Sequence, residues 1–321
     1  MKYLGIDVGS ISTDIVVIDE NLNLLSGLYL PTSGDPIGAV KEGFAILKDE
    51  FSTNEIKGVG TTGSARYLIG AVVGADIIKN EITAHAMASI NIKPTVHTII
   101  EIGGQDSKLI IIRDGIVVDF GMNTICAAGT GSFIDHQAQR LGIKVEEFGD
   151  IAIKSKNPVR IAGRCTVFAE SDMIHKQQLG YRKEDILFGL CEALVRNYLS
   201  NIGKGKELLA PIFFQGGVAA NKGIKAAFEK ALGEELIVPP NFALMGALGV
   251  AILAKDTVKS NAVETKFRGF NIEENNIKTR GFTCKSCPNL CEVMEIFLNN
   301  KLITCLGGRC GKWENIAIHK T

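Results

Sequence analysis

T-I-I-E-I-G-G-Q-D-S-K-L-I-I-I-R-D-G-I-V-V-D-F, residues 98–120, decides the fold. Its β-branched runs are cut first by a glycine-polar turn and then by Asp114-Gly115. That pattern predicts three strands in an antiparallel meander. The chain opens in the same way. Residues 3–8 (Y-L-G-I-D-V) and 15–19 (I-V-V-I-D) are apolar strands joined by G-S-I-S-T-D, and 24–30 (L-L-S-G-L-Y-L) supplies a third. Each unit begins with an acidic strand and a Gly-polar turn, so an internal duplication is the economical reading. A duplication places a cleft between the two halves.

Working outward, residues 35–50 read as a helix with Asp35 as N-cap and Pro36 as its first residue. Residues 184–202 carry Leu187, Leu190, Leu194 and Tyr198 at helical spacing. Cys191 beside them packs as a small apolar group. P-I-F-F-Q-G-G-V-A-A-N (211–221) is a buried strand running into a glycine turn and a helix start. A Pro-Pro break and an apolar helix occupy 238–254. Residues 256–280 are polar and read as a linker. The expected divisions are 1–97, 98–255, the linker 256–280 and a cysteine-rich segment 281–321.

Composition narrows the function. With 321 residues there is room for two domains and a substantial core. Lys+Arg and Asp+Glu balance at 35 each, which points away from nucleic acid and acidic membrane surfaces. Asp7 and Gly9 interrupt the start where a signal peptide needs an apolar run, and no stretch is apolar enough for a membrane span. A cytoplasmic protein is expected. There, eight cysteines are ligands or free thiols rather than disulfides.

Three glycine-polar turns, each after an apolar strand, carry the first chemistry: 9–14 (G-S-I-S-T-D), 103–107 (G-G-Q-D-S) and 216–221 (G-G-V-A-A-N). Such turns let backbone N–H groups reach phosphate oxygens, and hydroxyls add donors. The plain alternative is three hairpins. Asp7, at the end of the first strand, would hold Mg²⁺ through water. Asp106 would orient a magnesium-bound or attacking water. No P-loop signature is present, and G-T-G-S (129–132) is too short for a dinucleotide fingerprint.

The cysteines carry the second. Cys126 lies in N-T-I-C-A-A-G-T-G-S-F-I-D and Cys165 in A-G-R-C-T-V-F-A-E-S-D, each at an expected helix start, where negative charge is stabilised. Two such thiols, one in each loop, suggest that the chain couples a nucleotide to a soft metal. Two buried thiols are the alternative. Farther on, C-K-S-C-P-N-L-C-E-V and C-L-G-G-R-C-G-K-W place Cys284, Cys287, Cys291, Cys305 and Cys310 within a short span. That spacing suits zinc on four of the five, an iron–sulfur cluster, or regulatory thiols.

Together, I-D-V-G-S-I-S-T, E-I-G-G-Q-D-S-K, N-T-I-C-A-A-G-T-G-S-F-I-D, G-R-C-T-V-F-A-E-S-D-M-I and F-Q-G-G-V-A-A-N-K-G resemble the ATPase activators of 2-hydroxyacyl-CoA dehydratases and the ATPase subunits of benzoyl-CoA reductases. The resemblance covers about residues 1–255. It implies an α/β fold of duplicated ribonuclease-H-like (actin-like ATPase) domains with an interdomain nucleotide cleft. It implies a homodimer sharing one 4Fe-4S cluster, held by Cys126 and Cys165 of each subunit. ATP or ADP with Mg²⁺ would meet Ser10, Ile11, Ser12, Thr13 and Asp14 in the first loop. Gly103, Gly104, Gln105 and Asp106 would form the second, with Asp7, Gln105 and Asp106 catalytic. Gly216, Gly217 and Asn221 match the adenosine side, with Met245, Gly246 and Asp135 also in the nucleotide set. The activity implied is ATP-driven electron donation to a dehydratase or reductase, with ferredoxin or flavodoxin as the source. One departure is Asp14, where the family often has Lys, and Lys108 is a candidate substitute. A small-molecule kinase of the same fold, or an ATP-dependent scaffold with a zinc tail, are the rival readings.

Overall fold

The structure, a computed structural model, describes residues 1–123, 126–272 and 275–313. The opening strands β1 (Lys2–Val8), β2 (Ser12–Asp19) and β3 (Leu24–Pro31) form the expected antiparallel meander. Asp35 caps α1 (Pro36–Leu47) by accepting the Gly38 N–H at 2.8 Å, with Pro36 at the first turn. Then come β4 (Ile56–Thr62), α2 (Arg66–Val73), β5 (Ile77–Ile78) and α3 (Glu81–Ile92). β4 joins β1 in parallel and β5 joins β4, giving the order β3-β2-β1-β4-β5.

The second meander is β6 (Thr98–Ile102), β7 (Ser107–Arg113) and β8 (Ile116–Asn123). Four helices follow: α4 (Gly131–Arg140), α5 (Val145–Ala152), α6 (Thr166–Gln178) and α7 (Lys183–Asn201). β9 (Ile212–Gln215), α8 (Lys222–Leu232) and β10 (Leu236–Ile237) complete it. Its strand order, β8-β7-β6-β9-β10, repeats the first sheet strand for strand. The duplication read from the sequence is therefore present as two sheets of one topology. No described helix is long and apolar enough to cross a membrane.

The chain divides into Met1–Ala84 with the part from Gly246 onward, and His85–Met245. This corrects the expected boundaries at 97/98 and 255/256. The second half of α3 belongs with the second sheet because His85 and Ser89 hydrogen-bond Gln215 of β9. Helix α9 (Met245–Asn261) returns to the first sheet from Gly246 on. Its buried stripe is Ala247, Val250, Ala251 and Ala254. The approach is so close that a Cβ on Gly5 of β1 would lie 2.0 Å from the Ala247 carbonyl oxygen. Each unit has its own core: Leu4, Ile6, Val17, Phe44 and Val59 in the first, Ile100, Leu109, Leu190, Leu194 and Phe214 in the second. Cys191 is fully buried there, and burial pushes its thiol pKa up, as a packing cysteine requires.

Residues 256–280 are not a free linker. The first six continue α9, and Phe267, Phe270 and Ile272 enter or line the first core. Phe44 meets Phe267 and Phe270 edge-on at 5.8 and 5.3 Å. Each buried Phe contributes about 1.5–3 kcal/mol of transfer free energy. Beyond them β11 (Ile277–Thr283), β12 (Glu292–Leu298) and β13 (Lys301–Leu306) make a three-stranded antiparallel sheet. Ile296 of β12 is buried in the same core. Residues 314–321 of the expected cysteine-rich segment lie outside the described residues.

Candidate functional site

The two sheets carry matching polar ends. In the first, Asp7 stands directly opposite Asp14 on β2 and Thr62 on β4. All three are buried, and the Thr62 hydroxyl has no hydrogen-bond partner among the described residues. In the second, Glu101 stands opposite Lys108 on β7 and Gln215 on β9. Opposite residues share a sheet face, so each trio converges.

The first turn is braced from β3. The Gly9 N–H donates to Ser12 O at 2.9 Å, and the Thr32 hydroxyl donates to Gly9 O at 2.9 Å. Thr13 and Thr32 share a hydroxyl–hydroxyl bond of 2.9 Å. Ser10 and Ile11 at the tip remain exposed, and Ser12 is half-buried. A fourth turn, Thr62-Gly63-Ser64, closes over it, with the Ser64 hydroxyl on Val8 O at 3.3 Å. Gly63 has φ +91°, and a Cβ there would lie 2.4 Å from Val8 O and 2.6 Å from Asp7 Oδ1. Gly216 repeats this with φ +85°, 2.4 Å from Ile102 O and 2.7 Å from Glu101 Oε1. Both positions require glycine. The sequence reading missed Thr62 and Gly63, although G-V-G-T-T-G-S (58–64) has the same strand-then-glycine form as the other three turns.

In the second unit the Lys108 ammonium donates to Asp106 Oδ1 at 2.9 Å and to Glu101 Oε2 at 3.1 Å. Lys108 is 1% exposed, whereas the Asp106 side chain is 31% exposed, so the chain of charge runs from the core to an accessible carboxylate. Gly103 N–H closes the turn on Asp106 O at 3.0 Å, and Gln105 stands exposed at its tip. Behind the network, Gln215 bonds His85 Nδ1 at 2.9 Å and accepts from the Ser89 hydroxyl at 3.1 Å. Burial, with the nearby Lys108 charge, lowers the His85 pKa to about 3, so the ring is neutral at pH 7.

The structure then joins this turn to the cysteines. Gly131 N–H donates to Gly103 O at 2.9 Å and Ser132 N–H to Gly104 O at 2.8 Å. The Ser132 hydroxyl also donates to Gly104 O. G-T-G-S is thus a brace that pins the start of α4 onto the second turn, five positions after Cys126. Cys126 caps a short 3₁₀ turn and Cys165 caps α6; both thiols are half-buried and unbonded to another cysteine. Asn123 clamps the Cys126 loop, accepting its N–H at 3.0 Å and donating to its carbonyl at 2.7 Å. Buried Asn197 on α7 touches both loops. Its Nδ2 donates to Arg164 O at 3.2 Å, and its Oδ1 lies 3.0 Å from where a Cβ on Gly129 would sit. A lone Asn inside the apolar face of 184–202 was the signal in the sequence. Thr124 and Ile125, just before Cys126, are outside the described residues.

The remaining expected residues are more dispersed. Asn221 accepts the Ile224 N–H at 3.1 Å as the cap of α8. Gly216 N–H donates to Phe242 O at 2.9 Å, and Gly217 opens the 3₁₀ turn that follows. Met245 and Gly246 are the buried first residues of α9. Asp135 lies on the open side of α4, where partial desolvation and Glu146 raise its pKa. In the small sheet, Cys284 and Cys305 are buried around Val293 with Cys291 against them, while Cys287 and Cys310 are exposed. Hydrogen bonds from Ser286 bring the Cys284 pKa down to about 7. Among the described residues, no three His, Cys, Asp or Glu side chains gather as a single-chain metal site would need. The five tail cysteines expected as ligands are therefore not assembled into one.

Comparison with known proteins fits this geometry. The profile of the BadF/BadG/BcrA/BcrD ATPase family matches residues 4–254. The (R)-2-hydroxyglutaryl-CoA dehydratase activating ATPase of Acidaminococcus fermentans is 33% identical over 252 residues, spanning 78% of this chain and 96% of that protein. The crystal structure of component A of that dehydratase superposes with a TM-score of 0.75 at 32% identity, covering 81% of this chain and 99% of that one. The Clostridium difficile activator of 2-hydroxyisocaproyl-CoA dehydratase, solved with bound ADPNP, gives 0.73 at 32% identity, with 82% and 97% covered.

Proposed function

The chain belongs to the BadF/BadG/BcrA/BcrD ATPase family, and we propose that it is an ATP-driven, low-potential electron donor to an enzyme acting on CoA esters. The fold is the actin-like ATPase fold, and the chain is an ATPase. The relatives named as activators of 2-hydroxyacyl-CoA dehydratases support a client of that kind. Asp7, with Thr62 beside it, would hold Mg²⁺; the buried, unbonded Thr62 hydroxyl suits a polar ligand there. The loops at 9–14 and 103–106 would receive the phosphates, and Gly216, Gly217, Asn221, Met245 and Gly246 the adenosine side. Asp106, with Gln105, positions the attacking water, and Lys108 holds Asp106 in place.

Two chains would place Cys126 and Cys165 of each subunit around one 4Fe-4S cluster. The donor set fits: two half-buried thiols, Cys165 at the start of α6 and Cys126 at the 3₁₀ turn ahead of α4, their loops tied by one buried asparagine. The cluster would supply one-electron chemistry at low potential, reloaded from ferredoxin or flavodoxin. The observation that carries the reading is the brace from Gly131 and Ser132 to Gly103 and Gly104. It makes any nucleotide-driven movement of the phosphate turn a movement of the Cys126 loop.

A kinase of the same fold needs a phosphoryl acceptor, and this reading does not. Steady phosphate release from MgATP without any added small molecule is the expected result; release only on adding an acceptor would favour the kinase. For the tail, zinc or a second iron–sulfur cluster on Cys284, Cys287, Cys291, Cys305 and Cys310 is proposed to require loop closure, since Cys287 and Cys310 stand exposed. Zinc and iron contents of the full chain and of Cys284→Ser/Cys305→Ser test it. Equal contents in both would exclude a tail metal. Truncation at 255 is a poor test, because it strips Phe267 and Phe270 from Phe44.

A further inference from the structure

Beside Cys165 the second unit carries a strongly basic pocket. Arg160, Arg164, His175, Lys176 and Arg196 line a cavity of about 630 Å³ in which Asp172 is the acidic residue. That carboxylate is committed to the Ala162 N–H at 2.8 Å. Arg196 is partly used, donating to Ile161 O at 2.6 Å and lying 3.7 Å from Glu192. Arg160 and Arg164 are exposed, and neither has an ion pair among the described residues. Excess positive charge collects here in a chain whose formal net charge is zero. Phe168 lines the same pocket and is 66% exposed, as is Val167 next to it. Arginines around an exposed aromatic form the composition that marks protein interfaces.

We propose that this pocket docks the carboxylate-bearing surface of a small acidic redox protein, the one that reloads the metal site of Cys126 and Cys165. The inference rests on the electron-transfer reading above and gives it a location. Arg164 is the residue immediately before Cys165, and Asn197 ties its carbonyl to the helix that touches the Cys126 loop. A partner seated on Arg160, Arg164 and Lys176 is therefore at the cysteine loops. One electron would pass from the reduced iron–sulfur or flavin carrier to the cluster that Cys126 and Cys165 would hold, with no bond made or broken. Charge complementarity of this kind sets association rate and salt dependence more than it sets intimate contact.

The test uses the anaerobically purified full chain and an acidic two-cluster ferredoxin as probe, with binding followed by surface resonance at 50 and 300 mM NaCl. The native chain is expected to lose about tenfold or more in affinity over that range. Arg160→Glu/Arg164→Glu is expected to lose about as much at low salt, with basal ATP hydrolysis and oligomeric state unchanged. Arg160→Glu/Lys176→Glu, which leaves the neighbour of Cys165 intact, should behave alike. Unaltered ferredoxin affinity in both variants overturns the proposal. So does conversion of a native dimer to monomers, which makes the pocket a contact between copies. Binding of inorganic pyrophosphate that the variants abolish while ferredoxin binding persists also overturns it, assigning the pocket to a small anion. A native chain without iron that still binds ferredoxin through these residues would support the docking site and sink the electron-transfer reading.

Discussion

The two sheets share one strand order and one turn geometry but differ where the polar trios meet. In the first unit an acid faces an acid, Asp7 opposite Asp14, with Thr62 alongside. In the second an acid faces a lysine, Glu101 opposite Lys108, with Gln215 alongside. The glycine behind each acid, Gly63 or Gly216, has a positive φ, and a Cβ at either would collide with a backbone carbonyl at the end of the acid's strand. Duplication has thus kept the backbone device and changed the charge. A paired-acid end suits a divalent cation, whereas the second end carries its own cation and offers a positioned carboxylate, Asp106.

The largest effect expected from breaking this contrast is on stability. Lys108→Met leaves Glu101 buried without its lysine and should cost about 3–5 kcal/mol in denaturant unfolding. Adding Glu101→Gln should recover part of that loss; no recovery would mean that the pair is not the stabilising unit. Asp106→Asn should lower kcat for ATP hydrolysis by about 100-fold or more, with KM for ATP within about threefold. An equal rise in KM would make Asp106 a binding residue. Gly63→Ala and Gly216→Ala should each cost about 2 kcal/mol and lower Tm by about 4–8 °C. Similar losses sharpen the equivalence of the two turns, and a loss at one position alone breaks it.

The smallest effect concerns His85, which has no counterpart on α9, whose buried stripe is aliphatic. Its folded pKa of about 3 lies below the ordinary value of 6.5. Between those values the unfolded chain binds the extra proton, so stability is full above pH 6.5 and falls as pH drops toward 3. At pH 5.5 the loss is about 1.4 kcal/mol relative to pH 7.5. Melting His85→Gln at both pH values should show a smaller difference than the native chain. An unchanged difference would place the acid sensitivity elsewhere.

Much of this was legible in the sequence because it is local. The meanders, the Asp35 cap, the three first turns and the helix start after Cys165 are each written in a few consecutive residues, whereas Cys126 opens only a 3₁₀ turn ahead of α4. What escaped needs the third dimension. The Ala-rich stripe of α9 does not say which sheet it covers, and Phe267 and Phe270 look incidental in a polar stretch until Phe44 is found opposite. Asn197 stands out as a polar residue in an apolar helix face, but nothing local says that it reaches two cysteine loops more than thirty positions away. The G-T-G-S run is too short for a dinucleotide motif, and in the fold it braces the turn at Gly103 and Gly104.

The central claim is most directly tested by iron analysis with an anaerobic absorption spectrum of the full chain. The account predicts a brown, oxygen-sensitive dimer with about two iron atoms per chain, lost in Cys126→Ser and in Cys165→Ser while the fold and nucleotide binding persist. A colourless native protein, or one whose iron survives both substitutions, would contradict it.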